Sequence, residues 1–348
     1  MMTPRSYLGQ IQPGWWVLAA FLLVYPWFAT NFFTYQIGGY TLILGMSALS
    51  RMARAGYGGM ASLAQITVAG VAAYTLPIFG ENSVGVLGLG WPEWVLYPFA
   101  ILIAAVFSTL VGLISVRTEG IYTIMITLAI AVSFFFFARQ NYALFNGFQG
   151  FSGVDAPSFW GIYWRDPMPF YYLCLACAAF FFCATVYGAR STFGLTLQAI
   201  RDNPRRMGAL GYNVTAHRVY AFFLAGLIAG TAGVLLVLFN GRVSPGTIGV
   251  DIAIDILVIA VVGGLRHPIG PFLGALAFVL LENFAIDLID RERFNTVIGM
   301  AFLLVVFFSP DGLIGLWQKA AAKMRRRDNH GAKPTVKSTG EETQADLA

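Results

Sequence analysis

Charge is scarce in this chain. Of its 348 residues only 11% are Asp, Glu, Lys or Arg, where a soluble domain carries roughly a quarter. Hydrophobic residues make up 57%, and the mean hydropathy is +0.69, so too few polar groups remain to cover a soluble surface. Cysteine is nearly missing: Cys174, Cys177 and Cys183 fall in one apolar stretch. A Cys-x-x-Cys one helical turn apart is a possible metal ligand pair, but small apolar helix residues are the simpler reading. The three histidines, His217, His267 and His330, have no metal-ligand spacing among them. No Gly-x-x-x-x-Gly-Lys-Ser/Thr loop is present, which excludes a Walker-type nucleotide site, and no catalytic constellation stands out. No cofactor or metal is therefore expected. Met1–Gly14 is short and polar, and no cleavable leader is expected. The net charge of +5 is better explained by membrane topology than by a nucleic-acid partner.

What is there is a series of apolar runs of bilayer length, which predicts an all-α polytopic membrane protein. Ten spans are expected: about Trp15–Thr30, Tyr35–Ser50, Gly59–Phe79, Trp94–Val116, Ile121–Ala138, Phe170–Tyr187, Val219–Phe239, Ile252–Gly264, Ile269–Ala285 and Phe294–Ser309. An even number puts both termini on one side. If that side is cytoplasmic, it collects 17 of the 22 Lys and Arg, among them Arg51 and Arg54 in a loop after the second span. That bias is the positive-inside pattern and predicts cytoplasmic termini. The membrane domain is expected over 1–318. A basic and then disordered tail is expected over 319–348, its first cations at the lipid headgroups.

The longest polar interruption before the tail is Arg190–Arg218. Inside it, Asn203 suits a helix N-cap, Pro204 the first helical position and Gly211 the left-handed residue just past the end. A helix from Pro204 to Leu210 is only about 10 Å long, too short to persist alone in water. It must dock on something.

Ionisable and polar residues within spans are costly in lipid and mark candidate functional positions. Asp251 and Asp255 stand one turn apart at the outer end of the eighth span. Glu282 and Asn283 lie near the outer end of the ninth. Helix capping and cation or proton coupling are the two readings for the Asp pair. Gln65 and Thr67 in the third span line a path or satisfy a neighbouring helix. No Arg or Lys is expected inside a span. Gly226-x-x-x-Gly230, Gly263-Gly264, Gly270 and Gly274 read as sites of close helix packing. The long outer connection Arg139–Pro169 holds Asn146–Phe151, Asp155 and Trp160, and reads either as a functional loop or as an aromatic cap.

Several ordered motifs carry a family likeness. They are Phe193-Gly194, Ala199-Ile200-Arg201-Asp202, Ala209-Leu210-Gly211-Tyr212-Asn213-Val214, Val243-Ser244-Pro245, Val261-Val262-Gly263-Gly264-Leu265 and Ser309-Pro310-Asp311-Gly312-Leu313. Upstream stands Arg117-Thr118-Glu119-Gly120-Ile121-Tyr122, with Thr127-Leu128 beyond it. Over about residues 40 to 316 the chain resembles the permease subunits of branched-chain amino acid ABC importers of the LivM/LivH type. The resemblance implies a ten-helix permease of a bacterial inner membrane, with no nucleotide site of its own, forming a path for branched-chain or related amino acids. It implies ATP-binding subunits, a second homologous permease and an extracytoplasmic solute-binding protein as partners, besides the lipid bilayer and a small-molecule solute. It makes Arg201, Asp202, Asn203, Pro204, Arg205, Arg206, Met207, Gly208, Ala209, Leu210 and Gly211 the segment that meets the ATPase. Gln65, Thr67, Thr127, Asp251 and Asp255 become candidates for the solute path or gate. Two departures stand out. Gln65 replaces the histidine usual in the family's Gly-Gln-x-Ser-Leu-Gly-His, and Asn146-Gly147-Phe148-Gln149-Gly150 loosens its outer Gly-Gly-x-x-Gly. The rival from the residues alone is an ion-coupled secondary transporter using Asp251, Asp255 and Glu282.

Overall fold

Apolar runs this long leave backbone groups nowhere to bond but within their own helix. The computed structural model is accordingly helical throughout its spans. It describes residues 13–82, 88–118, 120–154, 156–159, 162–265 and 267–285, with 299, 300, 303, 312, 313 and 315. The helices are α1 (Pro13–Phe28), a π-helical stretch (Phe33–Gly39) running into α2 (Tyr40–Gly58), α3 (Gln65–Phe79), α4 (Glu93–Ser115), α5 (Ile121–Gln140), the short α6 (Tyr142–Phe145) and α7 (Pro167–Arg190). Then come α8 (Thr192–Asp202), α9 (Pro204–Ala209), α10 (Val214–Asn240), a 3-10 turn (Pro245–Ile248), α11 (Val250–Gly263) and α12 (Gly270–Ala285). Helices α4, α5, α7 and α10 are each long and apolar enough to cross a membrane. The expected first nine spans each find a helix. The tenth, Phe294–Ser309, and the 319–348 tail lie outside the described residues, apart from isolated positions within the tenth.

The bundle is built around α10, which packs against α4, α3 and α2, while α2 also holds α12 and α11. Small residues make this possible. A Cβ on Gly226 would stand 2.6 Å from Ser108 Cβ, and one on Gly230 2.9 Å from Ala104 Cβ, so the α10–α4 seam closes backbone to side chain. Ser108 adds a hydrogen bond from its Oγ to the Phe222 carbonyl at 2.7 Å. The glycines between the eighth and ninth spans work the same way, Gly263 and Gly274 lying against backbone across the α11–α12 seam.

The long connection between α5 and α7 is a cap docked on the bundle. Two-residue strands β1 (Phe151–Ser152) and β4 (Arg242–Val243) pair antiparallel, and β2 (Ser158–Phe159) pairs with β3 (Ile162–Tyr163). Phe151 is fully buried, and Tyr74 meets both Phe145 and Phe151 edge-on. Asp155 and Trp160 lie outside the described residues.

Two span boundaries are corrected. The second span does not stop near Ser50: α2 runs on to Gly58, because Arg51, Met52, Ala53 and Arg54 are strong helix formers and no breaker intervenes before the glycines. The third starts at Gln65 rather than Gly59. Gly59, at φ 67°, ends α2 in the left-handed region, and residues 59–64 form a non-helical turn.

Candidate functional site

The polar stretch after α7 holds two helices. The expected one is α9: the Asn203 side chain accepts from the Arg206 N–H at 3.0 Å, Pro204 opens the helix, and Gly211 follows it at φ 88°. None of its residues is buried, and Leu210 is 65% exposed. The unexpected one is α8, capped by Ser191, whose Oγ accepts from the Gly194 N–H at 3.3 Å. It buries Gly194, Leu197 and Ile200, a spacing of three that shows in the sequence and that was missed beside the proline signal. Helix α8 rests on α2 and α7, so α9 is carried on a seated amphipathic helix. Arg201 is the joint: it pairs with Asp202 at 3.0 Å, donates from Nη1 to the Gly56 carbonyl, and lays its aliphatic stem on Gly59.

Directly beneath that joint lies a finding the sequence did not lead us to expect. Arg51 and Arg54, assigned to a loop, are 2% and 1% exposed inside the bundle. Arg51 Nη2 donates to the Ala253 carbonyl of α11 at 3.3 Å, and the Arg54 guanidinium stands over the Phe222 ring of α10, 4.4 Å from its centroid. Five of their nitrogens, Nε and Nη1 of Arg51 and Nε, Nη1 and Nη2 of Arg54, have no hydrogen-bond partner among the described residues. A buried unpaired charge costs several kcal/mol. The signal that points to them is the helix-forming run after Ser50, which carries both residues up the helix and into the core.

The predicted path residues separate. Gln65 is buried at the start of α3, with Nε2 donating to Ser50 Oγ at 3.0 Å and Oε1 without a partner among the described residues. Thr67 is fully buried and its hydroxyl is likewise unpartnered. Thr127 is spent on structure: its hydroxyl accepts from the Leu63 N–H at 3.2 Å and donates to the Thr123 carbonyl at 2.9 Å, fastening the 59–64 turn to α5. On α11, Asp251 is exposed in the first turn, where the helix dipole favours it. Asp255, a turn further in, is half-buried and lies near Glu282 of α12 and Tyr40 of α2. Glu282 Oε2 is buried without a partner among the described residues. Asp255 thus lies near Glu282, while the stretch of α3 that holds Gln65 and Thr67 packs through Ile66 and Ala69 against Ala253 and Ile256 of the same α11. Among the described residues no cluster of His, Cys, Asp and Glu suits a metal ion. Cys174 is buried and Cys183 exposed on α7.

Comparison with known proteins bears on what this arrangement does. Residues 34–307 match the family described as branched-chain amino acid transport system / permease component. The chain is 24% identical over 301 residues to the high-affinity branched-chain amino acid transport system permease protein LivM of Salmonella typhimurium, covering 79% of this chain and 66% of that protein. It is 32% identical over 139 residues to a probable branched-chain amino acid transport permease protein LivH of Methanocaldococcus jannaschii, covering 37% and 43%. It is 26% identical over 241 residues to the nucleoside ABC transporter permease protein NupC of Lactococcus lactis, covering 66% and 74%. No solved structure matches the chain significantly.

Proposed function

The chain belongs to the family of branched-chain amino acid transport system permease components, and from that premise we propose that it is the membrane-spanning permease subunit of an ATP-driven importer. One observation of the structure carries the reading: an exposed, side-chain-capped helix, α9, with no core contacts of its own, held on an amphipathic helix that is bonded to the end of α2. A short helix that buries nothing in its own chain is ordered for a partner. The partner of this reading is an ATP-binding subunit that meets Arg201–Gly211 and hydrolyses ATP on its own nucleotide site. A second, homologous permease completes the path, and an extracytoplasmic solute-binding protein delivers a branched-chain or related amino acid. The distribution of Lys and Arg, even without the buried Arg51 and Arg54, supports both termini in the cytoplasm, and the reading places the chain in a bacterial inner membrane. Nucleotide-driven closure of the ATPase would bias α8 and α9, and with them α2, between two arrangements of the bundle.

The test is deletion of Pro204–Leu210. The shortened chain is expected to insert into the membrane, to lose the co-purifying nucleotide-binding subunit and to import nothing. Import at the normal rate by that form would end the coupling reading. The Asp255–Glu282 juxtaposition favours a second reading, an ion-coupled transporter, which requires uptake into vesicles on an ion gradient with no ATP.

A further inference from the structure

Among the described residues no carboxylate pairs with Arg51 or Arg54, and the ion pair Arg201–Asp202 lies within α8. The two guanidinium groups lie one turn apart on α2 and close enough to repel each other. Neither reaches out toward the headgroups, as a long cationic side chain near a helix end ordinarily does. Two buried, mutually repelling cations with five donors unpaired among the described residues call for an anion, and an anion that is not part of the fold can come and go. Resting on the permease reading, we infer that Arg51 and Arg54 form a binding site on the solute path for the carboxylate group of the transported solute. This site makes the cargo an organic acid or amino acid rather than a neutral solute.

The chemistry favours a carboxylate over other anions. A guanidinium offers a planar fork of donors that matches the two oxygens of a carboxylate, and two forks one turn apart hold such a group without ordered water. Phe222, already under Arg54, gives the site an apolar wall that suits the short aliphatic part of a small acid, and the Ala253 carbonyl orients Arg51. The location fits a closed stage. The end of α2 beyond Arg54 is covered by α8 through Arg201 on Gly56 and Leu197 beside Gly58. In the arrangement described here the two arginines are sealed. Lifting α8 along with α9 uncovers them, so the segment that meets the ATPase is also the cover of the anion site.

The experiment uses the full chain in lipid nanodiscs with two probes of the same shape, isovalerate and its neutral isostere isovaleramide, and with sulfate as a second anion. Saturable heat or a saturable rise in melting temperature is expected with isovalerate and not with the amide. Arg51→Gln and Arg54→Gln are each expected to weaken isovalerate by at least about tenfold, or about 1.4 kcal/mol. Arg54→Lys, which keeps the charge and loses the fork, should fall between. Equal response to acid and amide overturns the inference, as does sulfate binding as tightly as isovalerate. No saturation by isovalerate below about 10 mM, a binding free energy weaker than about 3 kcal/mol, also overturns it. If the Gln variants do not fold, the acid-against-amide comparison on the unaltered chain still decides. The measurement needs no ATPase. A chain that tells acid from amide yet never retains a nucleotide-binding subunit refutes the permease reading and not the site. A chain that retains the subunit and ignores the acid refutes the site alone.

Discussion

Arg201 donates from Nη1 to the backbone oxygen of Gly56, so the last turn of α8 is tied to the last turn of α2. The bond is exposed, and a bond of that kind is worth about 1 kcal/mol. Its importance is in what it joins: the helix that carries α9 and the helix that carries Arg51 and Arg54. Arg201→Ala is expected to leave insertion unchanged and to lower ATP-dependent uptake, measured per retained ATP-binding subunit, by about fivefold, the rate equivalent of about 1 kcal/mol. Uptake in membrane vesicles at fixed ATP measures it. Unchanged uptake would show that α8 does not drive α2 through this contact.

The Asn203 cap is a separate lever. Its side chain satisfies the Arg206 N–H, and replacement of such a cap by Ala costs about 1 kcal/mol of helix stability. In a six-residue helix that is a large share, so Asn203→Ala should fray α9 in the free permease. The ATP-binding subunit would then pay to reorder it, and its retention on immobilised permease should weaken by roughly fivefold. Asn203→Asp, which keeps the acceptor, should restore retention. Equal retention by the Ala form would mean that α9 is not the contact.

Two glycines of the same chain should answer differently to an added side chain. Gly230 faces Ala104 across the α10–α4 seam with no room for a Cβ, and overpacking of this kind costs about 1–3 kcal/mol. Gly230→Val should lower the melting temperature of the detergent-purified chain or prevent its accumulation. Gly208 in α9 has open space around it, and Ala favours a helix over Gly by about 0.5–1 kcal/mol. Gly208→Ala should leave the melting temperature unchanged and should not reduce retention of the ATP-binding subunit.

Asp255 discriminates the two transport readings. It lies beside Glu282, and an ion-coupled carrier would use that pair to hold its cation. In an ATP-driven permease, Asp255→Asn removes a repulsion between two half-buried acids and should leave uptake within about twofold of the original, an effect under about 0.5 kcal/mol. Uptake should also survive collapse of the ion gradients by ionophores while ATP is supplied. Loss of uptake under both conditions would favour ion coupling.

How far the sequence could be read follows from the range of each signal. Caps act over three or four residues, so Asn203, Pro204 and Gly211 announced α9 and its ends correctly. Apolar run length acts over a bilayer thickness, so the nine described spans were found. The Gly226-x-x-x-Gly230 seam was readable because small residues four apart have one common use. Helix α8 was legible too, in the three-residue spacing of Gly194, Leu197 and Ile200, but the stronger proline signal beside it drew the boundary elsewhere. Arg51 and Arg54 show the limit. The rule that cations gather in loops is a statement about averages, and it placed them outside the bundle. Only the packing of α2 against α11 and α10 reveals that they are inside. The approach of Asp255 to Glu282 joins residues 27 apart on two helices, and no local pattern encodes it.

Thr127 shows how a residue read as path-lining can be separated from one that holds the path's wall. Its hydroxyl is fully buried, accepts from the Leu63 N–H and shares its proton between the Thr123 and Ile124 carbonyls, so all its bonds are to backbone. Thr127→Val keeps the shape and leaves the Leu63 N–H without its acceptor, a loss of about 1–3 kcal/mol. The 59–64 turn sits between the end of α2, where Arg201 bonds, and Gln65. Loosening it should lower the melting temperature of the purified chain and slow uptake of every solute alike. Thr127→Ser, which keeps the acceptor, should restore both. A wall residue changes rate without changing choice, whereas a path residue changes the ratio between competing solutes. If Thr127→Val shifts that ratio while the melting temperature stays put, Thr127 touches the solute, and the fastening described here is incidental.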